Sequence, residues 1–463
     1  MIVSPATTIA DLAAALRQRD VTATALVEEC LATIAALDET LNAFVLVRAD
    51  ESRAEARAAD RELARGEDRG PLHGVPVSLK DVIDLAGAPT TAATPVRAGH
   101  RAAADAAVAA HLRAAGAVIV GKCNLHELAF GTTGEASACG PTRNPHDPRH
   151  VAGGSSSGSA VSVSTGMALA SVGTDTGGSI RIPASACGVV GLKPAYGEVS
   201  ADGVFPLAPS LDHVGPIARS VRDAETLYRV LRGRSAGGDA SDARAAPVQP
   251  HPRLGVPRRY FLDLLEPSVE EAFEAAVERL AGDGCRIADA DIPHAADAGP
   301  VYLHTQLPEA AACHRTLLDR HGEDLSEEVR LRLALGRYVL AEDYVRAQRG
   351  RAVLAGEVDT ALEGCDALLL PALPIVPPRL GVERIAVGGT TEAVRPLTLR
   401  LTQLFDLTGH PAIAIPCGHA GGLPAGLQLV GRRDGTAALL ALAAAWEQTI
   451  RGQASAPENG ANS

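Results

Sequence analysis

Two short apolar runs, Val75-Pro76-Val77-Ser78-Leu79 and Ala117-Val118-Ile119-Val120, stand among stretches of helical periodicity. Runs this short, bounded by turn residues, read as strands buried on both faces. Their flanks follow a different period. Thr8 with Asp11 three residues later resembles a helix cap, with Ile9, Leu12 and Leu16 on one face. A second helix is expected through Leu26, Val27, Cys30, Leu31, Ile34 and Leu37. A third spans 49–65 and ends at Gly66, and another over 105–115 closes at Gly116. Strands alternating with helices predict α/β layering, with helices covering a sheet.

The alternation breaks at 131–158, where GTTGEASACGPTRNPHDPRHVAGGSSSG forms a long loop. Loops of that length inside a compact domain usually carry function. A helix-like stretch at 159–168, a strand at 169–174 and a second Gly-rich turn at 177–178 follow. Residues 233–252 are small, polar and Pro-rich, and read as an exposed connection. The stretch 268–363 reads as mostly helical. The stretch 366–378 reads as a buried strand running into a Pro-rich loop, and further strands are expected at 412–416 and 426–430. A helix over 437–450 precedes a frayed tail.

Composition narrows the function classes. The balance of 43 Lys+Arg against 55 Asp+Glu leaves a net charge of -12, which argues against direct nucleic-acid binding. No apolar run approaches the ~18–20 residues of a membrane span. The amino end lacks a basic segment followed by an apolar core, so it does not read as a secretory signal. The eight cysteines form no CxxC pair and read as buried free thiols in a reducing cytoplasm. Only three lysines occur, Lys80, Lys122 and Lys193, beside many arginines. A lysine retained in such a chain invites a role that arginine cannot fill, since arginine cannot release its proton.

Several motif look-alikes fail on context. Gly116 to Lys122 fits GxxxxGK, but the intervening residues form a strand and Cys123 stands where Ser or Thr would hold Mg²⁺. Gly154-Ser155-Ser156-Ser157-Gly158 fits GxSxG, yet a nucleophile elbow follows a strand and here a Pro-containing loop precedes it. His126-Glu127 lacks the second histidine of a zinc helix, and Pro148 disrupts the helix that would align His146 with His150. No metal or cofactor is expected.

A Ser/Lys constellation remains. Lys80 ends an apolar strand, Ser155 follows Gly153-Gly154, and Ser179 follows Gly177-Gly178. A serine hydroxyl attacks poorly until a base takes its proton. Lysine becomes such a base when burial lowers its pKa toward neutrality. Glycines before Ser179 would let backbone amides converge as an oxyanion hole. The alternative is that both Gly/Ser stretches are simply turns.

These segments resemble the amidase signature hydrolases. The likeness runs through PLHGVPVSLKDVID (71–84), GPTRNPHDPRHVAGGSSSGSA (140–160), GTDTGGSIRIPASACGVVGLKPAYGEVS (173–200), SLDHVGPIARSV (210–221) and LFDLTGHPAIAIPCG with GLPAGLQLVG (404–431). It implies an α/β amidase signature fold, a large mixed β-sheet sandwiched between helical layers. One domain would span 1–450, with core motifs at 71–221, a variable helical region at 230–365 and a flexible tail at 451–463. Ser179 would be the nucleophile, Ser155 a bridging serine on a cis Gly154–Ser155 peptide, and Lys80 the terminal base. Amides of Thr176, Gly177, Gly178 and Ser179 would form the oxyanion hole. Phe130, Gly131 and Thr132 would line the acyl pocket, Asp175 and Arg181 would brace the turn, and Lys122 and Lys193 would be structural.

The implied activity is hydrolysis of a carboxylic amide, or a related urea or carbamate C–N bond, through an acyl-enzyme. The partner would be a small amide substrate, and a homodimer is compatible with this. Two alternatives stand beside it: the glutaminase component of a tRNA-dependent amidotransferase, working in a hetero-complex, and an allophanate or carboxybiuret hydrolase. The chain departs from the amidotransferase branch at Leu399, where an Asp would meet glutamine's ammonium, and in lacking an evident RYG segment. Ser157 stands where the family commonly has Gly.

Overall fold

The computed structural model describes residues 7–233 and 249–452. The tail after 452 and most of the 233–252 connection lie outside the described residues. Among the described residues thirteen strands occur in chain order: β1 Phe44–Val47, β2 Pro76–Lys80, β3 Val118–Cys123, β4 Ala170–Asp175, β5 Val190–Lys193, β6 His213–Ala218, β7 Arg253–Pro257, β8 Arg286–Ala290, β9 Ala367–Pro371, β10 Arg384–Val387, β11 Thr390–Ala393, β12 Ala412–Ala420 and β13 Leu423–Val430. Eleven form one sheet in the order β1-β3-β2-β4-β6-β5-β12-β13-β9-β7-β8, and β10 pairs with β11 in a separate hairpin.

The sheet is mixed. β2 runs parallel to β3 and β4, and β7 parallel to β8 and β9, while the pairs between β4 and β9 are antiparallel. Every residue of β2, β3, β4, β6, β9 and β13 is buried. Strands buried on both faces need cover on both sides, which the helices provide, and this is why they read as apolar runs rather than alternating ones. Some of the polar exceptions pair with one another. Ser78 Oγ donates to Ser171 Oγ across the β2–β4 pair at 2.8 Å and lies 3.0 Å from Ser162 Oγ.

The first helix begins as its cap residues imply. Thr8 Oγ1 accepts from the Asp11 amide at 3.1 Å, and Asp11 Oδ2 accepts from the Thr8 amide at 2.9 Å. The remaining expected helices form at Ala23–Leu41, Ala49–Ala64, Ala107–Ala114 and Thr436–Arg451. Three expectations need correction. Leu37 faces outward from its helix at 39% exposure. Cys139 and Cys313 are exposed thiols, not buried ones. The stretch 268–363 also contains β8, a half-exposed edge strand whose sequence RIADA lacks an apolar run. Among the described residues, no helix is long and apolar enough to cross a membrane.

The site is positioned by two neighbouring parallel strands that finish together. Leu79 of β2 pairs with Val172 of β4, so Lys80 and the 173–175 end of β4 emerge side by side at one edge. Ligands in α/β sheets commonly bind outside such carboxyl ends.

Candidate active site

Lys80 is the last residue of β2 and is completely buried. Its Nζ lies 2.7 Å from Ser155 Oγ and 2.7 Å from Thr174 Oγ1, with the Thr174 carbonyl at 3.5 Å. Burial lowers its pKa to about 7, while the carboxylates of Asp175 and Asp212 pull weakly the other way. The amine is thus poised to be neutral near physiological pH. Lys193 is buried too, with a pKa lowered to about 7 by burial, but its Nζ donates to the carbonyls of His410 at 2.6 Å and Pro194 at 3.2 Å. Lys122 is ion-paired with buried Asp81 at 2.7 Å. Among the described residues, Lys80 alone of the three lysines has a serine hydroxyl as a partner.

Ser155 follows a cis Gly154–Ser155 peptide. The Gly154 amide donates to the Thr132 carbonyl at 2.6 Å, and the Ser155 carbonyl accepts from the His126 amide at 3.2 Å. Gly153 has φ +76°, and a side chain there would also press on the backbone of Pro183, so the Gly-Gly pair is required by the path of the chain. Ser156 donates through its hydroxyl to the Thr174 carbonyl at 3.0 Å, and its amide donates to the Ser179 carbonyl at 3.2 Å. Ser156 therefore ties the two serine-bearing loops to β4. A loop, not a strand, precedes this GxSxG sequence, as its prolines suggest. Ser157 opens the helix Ser157–Ser164 and donates to Thr142 Oγ1 at 3.1 Å.

Ser179 lies in the turn between β4 and the helix Arg181–Cys187. Gly178 has φ +137°, a conformation essentially reserved for glycine. The turn is fixed from below by Asp175. Its Oδ1 accepts from the Gly178 amide at 2.5 Å, and its Oδ2 accepts from the Ile180 amide at 3.1 Å and from Arg181 Nε at 3.0 Å. Burial opposes ionisation of Asp175, but Arg181 outweighs it and holds the carboxyl below its ordinary range. Because Asp175 takes the Gly178 amide, an oxyanion here would draw on Thr176, Gly177 and Ser179. The Thr176 side chain is turned to Asp212, 2.6 Å from Oδ1.

Phe130 is fully buried, with its carbonyl accepting from Arg332 and the guanidiniums of Arg332 and Arg395 each 5.6 Å from its ring centre. Gly131 packs so closely on the His126 ring that no side chain fits there. Thr132 Oγ1 accepts from Thr398 Oγ1 at 2.9 Å. A cavity of about 180 Å³ beside the lysine's partners is lined by Ala129, Thr174, Thr176, Phe205 and Asp212.

Sequence reasoning missed Thr174, Ser156, Asp212, Asp406 and Tyr302. Thr174 had a usable signal, being near the end of the strand beside that of Lys80. Asp406 and Tyr302 had none. Asp406 approaches Arg181 Nη2 at 2.6 Å from a segment 225 residues away, and the Tyr302 hydroxyl stands against Gly177 from a helix in the variable region.

The chain is similar to known proteins over nearly its whole length. The Amidase family model matches residues 25–440. The A-type subunit of the glutamyl-tRNA(Gln) amidotransferase of Chloroflexus aurantiacus is 38% identical over 480 residues, covering 95% of this chain and 96% of that protein. An amidase of Pseudomonas putida is 39% identical over 425 residues, with 89% of each chain covered. The crystal structure of an amidase superposes with a TM-score of 0.89 at 39% identity, covering 95% of this chain and 98% of that one. With its large mixed sheet, its buried lysine and its two serine loops, the chain belongs to the amidase signature family.

Proposed function

We propose that the chain hydrolyses a carboxylic amide, or a related urea or carbamate C–N bond, through an acyl-enzyme on Ser179. The carrying observation is the 2.7 Å contact between Lys80 Nζ and Ser155 Oγ, with both groups buried. Neutral Lys80 accepts the Ser155 proton while Ser155 accepts that of Ser179, whose oxygen attacks the carbonyl carbon. The tetrahedral oxygen is held by the amides of Thr176, Gly177 and Ser179. The proton then returns through Ser155 to the leaving nitrogen, the C–N bond breaks, and water repeats the sequence to release the acid. Thr174 positions the amine for these transfers.

A fluorophosphonate tests this reading. It should leave one adduct, on the peptide containing Ser179, and Ser179→Ala should abolish it. An adduct on Ser156 would favour an elbow-type hydrolase instead.

The second reading is the glutaminase component of an amidotransferase, favoured by the similarity to the Chloroflexus protein. Leu399 speaks against it. Its Cδ2 lies 3.0 Å from where a Gly177 Cβ would stand, so an apolar group borders the turn there. Glutamine turnover, and co-purification with partner proteins, would separate the two.

A further inference from the structure

The helix Glu327–Gly336 of the variable region is fastened to the loop 126–134, from which it is about 200 residues distant in sequence. Glu328 Oε1 lies 2.5 Å from His126 Nε2, and Arg332, one turn on, pairs with the same carboxylate at 2.7 Å. Arg332 also donates to the Phe130 carbonyl, and the Ser326 amide just before the helix donates to Glu127 Oε2 at 2.9 Å. The Glu328 side chain is 43% exposed, so it can be replaced without opening the core.

His126 is joined to the serine loop directly, since its backbone amide donates to the Ser155 carbonyl at 3.2 Å. Its ring packs against Gly131, and its Nδ1 accepts from the Gly134 amide at 3.3 Å. A ring nitrogen that accepts from an amide carries no proton, so Nε2 holds the proton and donates it to Glu328. The carboxylate thereby fixes the tautomer, the ring plane and, through the ring, the loop. Within that loop the Thr132 carbonyl receives the Gly154 amide at 2.6 Å. Gly154 and Ser155 are therefore held at both ends by a loop that Glu328 clamps. A relay hydroxyl depends on such support, because a misplacement of ~1 Å can cost ~10²-fold in rate.

We propose that Glu328 is a positioning residue for acyl transfer, acting through His126 on the Ser155 hydroxyl. This rests on the amidase reading, in which Ser155 takes the Ser179 proton and returns it to the leaving nitrogen. An anilide needs that returned proton, whereas a nitrophenyl ester does not. The test compares wild type, Glu328→Leu and Glu328→Gln on the anilide and the nitrophenyl ester of one acid, the best hydrolysed of acetic, butyric and phenylacetic. Glu328→Leu should lower the anilide-to-ester ratio of kcat/KM tenfold or more, through kcat, with both KM values within threefold of wild type. Glu328→Gln should recover most of the ratio, because its carbonyl oxygen still accepts from Nε2. The rate of Ser179 labelling by a fluorophosphonate is a second measurement that needs no substrate. It should fall threefold or more in Glu328→Leu and recover in Glu328→Gln. Should Glu328→Leu fail to fold, Glu328→Ala carries the same expectations. Equal losses on anilide and ester, or a glutamine no better than a leucine, overturn the proposal. An unlabelled Ser179 in the wild type sinks the amidase reading, whereas a labelled Ser179 whose labelling rate and anilide-to-ester ratio ignore Glu328 sinks this assignment alone.

Discussion

Lys80 Nζ and Thr174 Oγ1 lie 2.7 Å apart at the adjoining ends of two parallel strands. A neutral amine can accept there, from the Thr174 hydroxyl or from Ser155, whereas an ammonium can only donate. The direction of proton flow through the site therefore depends on the lysine's charge. Its pKa of about 7 is set mainly by burial.

The first prediction follows from that charge. The amine becomes neutral as pH rises through its pKa, so kcat/KM for an unactivated amide should climb with pH and level off above an inflection near 7. Lys80→Arg should lower amide turnover by ~10²-fold or more, because arginine keeps its proton. Stopped assays across pH 5–9, with circular dichroism as a check of fold, decide it. Near-wild-type turnover by folded Lys80→Arg would exclude Lys80 as the base.

A second prediction concerns stability. Arg181 meets Asp175 at 3.0 Å and Asp406 at 2.6 Å, with all three side chains fully buried. Removing the cation strips buried Asp175 of its partner and leaves it beside Asp406, whose carboxyl burial holds well above its ordinary range, and breaking a buried pair in this way costs about 3–5 kcal/mol. Arg181→Met should therefore lose stability on that scale in urea titration. Arg181→Lys should recover only part of it, since a point charge cannot bond Asp175, Asp406, Gln428 and the Thr402 carbonyl together as the guanidinium does.

These two clusters show what was legible beforehand. Lys80 could be read because an apolar strand ends on it in a chain with few lysines, and both serine loops announce themselves by glycine. Arg181 could be picked out, but not Asp406, because nothing local links positions 225 residues apart. Tyr302, Gln306 and Arg395 were hidden for the same reason: they meet only after the variable helices fold over the turn. β8 escaped because an edge strand with one half-covered face needs no apolar run.

The third prediction uses the close packing at Gly177. A methyl group there would collide with the Tyr302 hydroxyl and press on Leu399. Gly177→Ala should displace the oxyanion turn and lower kcat by roughly 10²-fold, the usual loss for one oxyanion donor. Tyr302→Phe in the same chain should restore part of the rate by removing the obstructing oxygen. A double-mutant cycle measures this, and strictly additive losses would show that the two groups do not oppose each other.

The last prediction concerns Phe130. Its ring is fully buried, with the guanidiniums of Arg332 and Arg395 each 5.6 Å from its centre, and the next residue but one, Thr132, holds the Gly154 amide. Truncation would combine two effects. Phe130→Ala removes a core ring, which costs about 3–5 kcal/mol, and it also frees the guanidiniums from the surface that orients them. Phe130→Leu keeps much of the apolar volume while losing the aromatic face. The leucine variant should therefore melt close to the wild type, yet its relative kcat/KM among acetyl, butyryl and phenylacetyl amides should change severalfold. If Phe130 serves only to pack the core, the rates on all three amides would instead fall together, in step with the loss of stability in both variants.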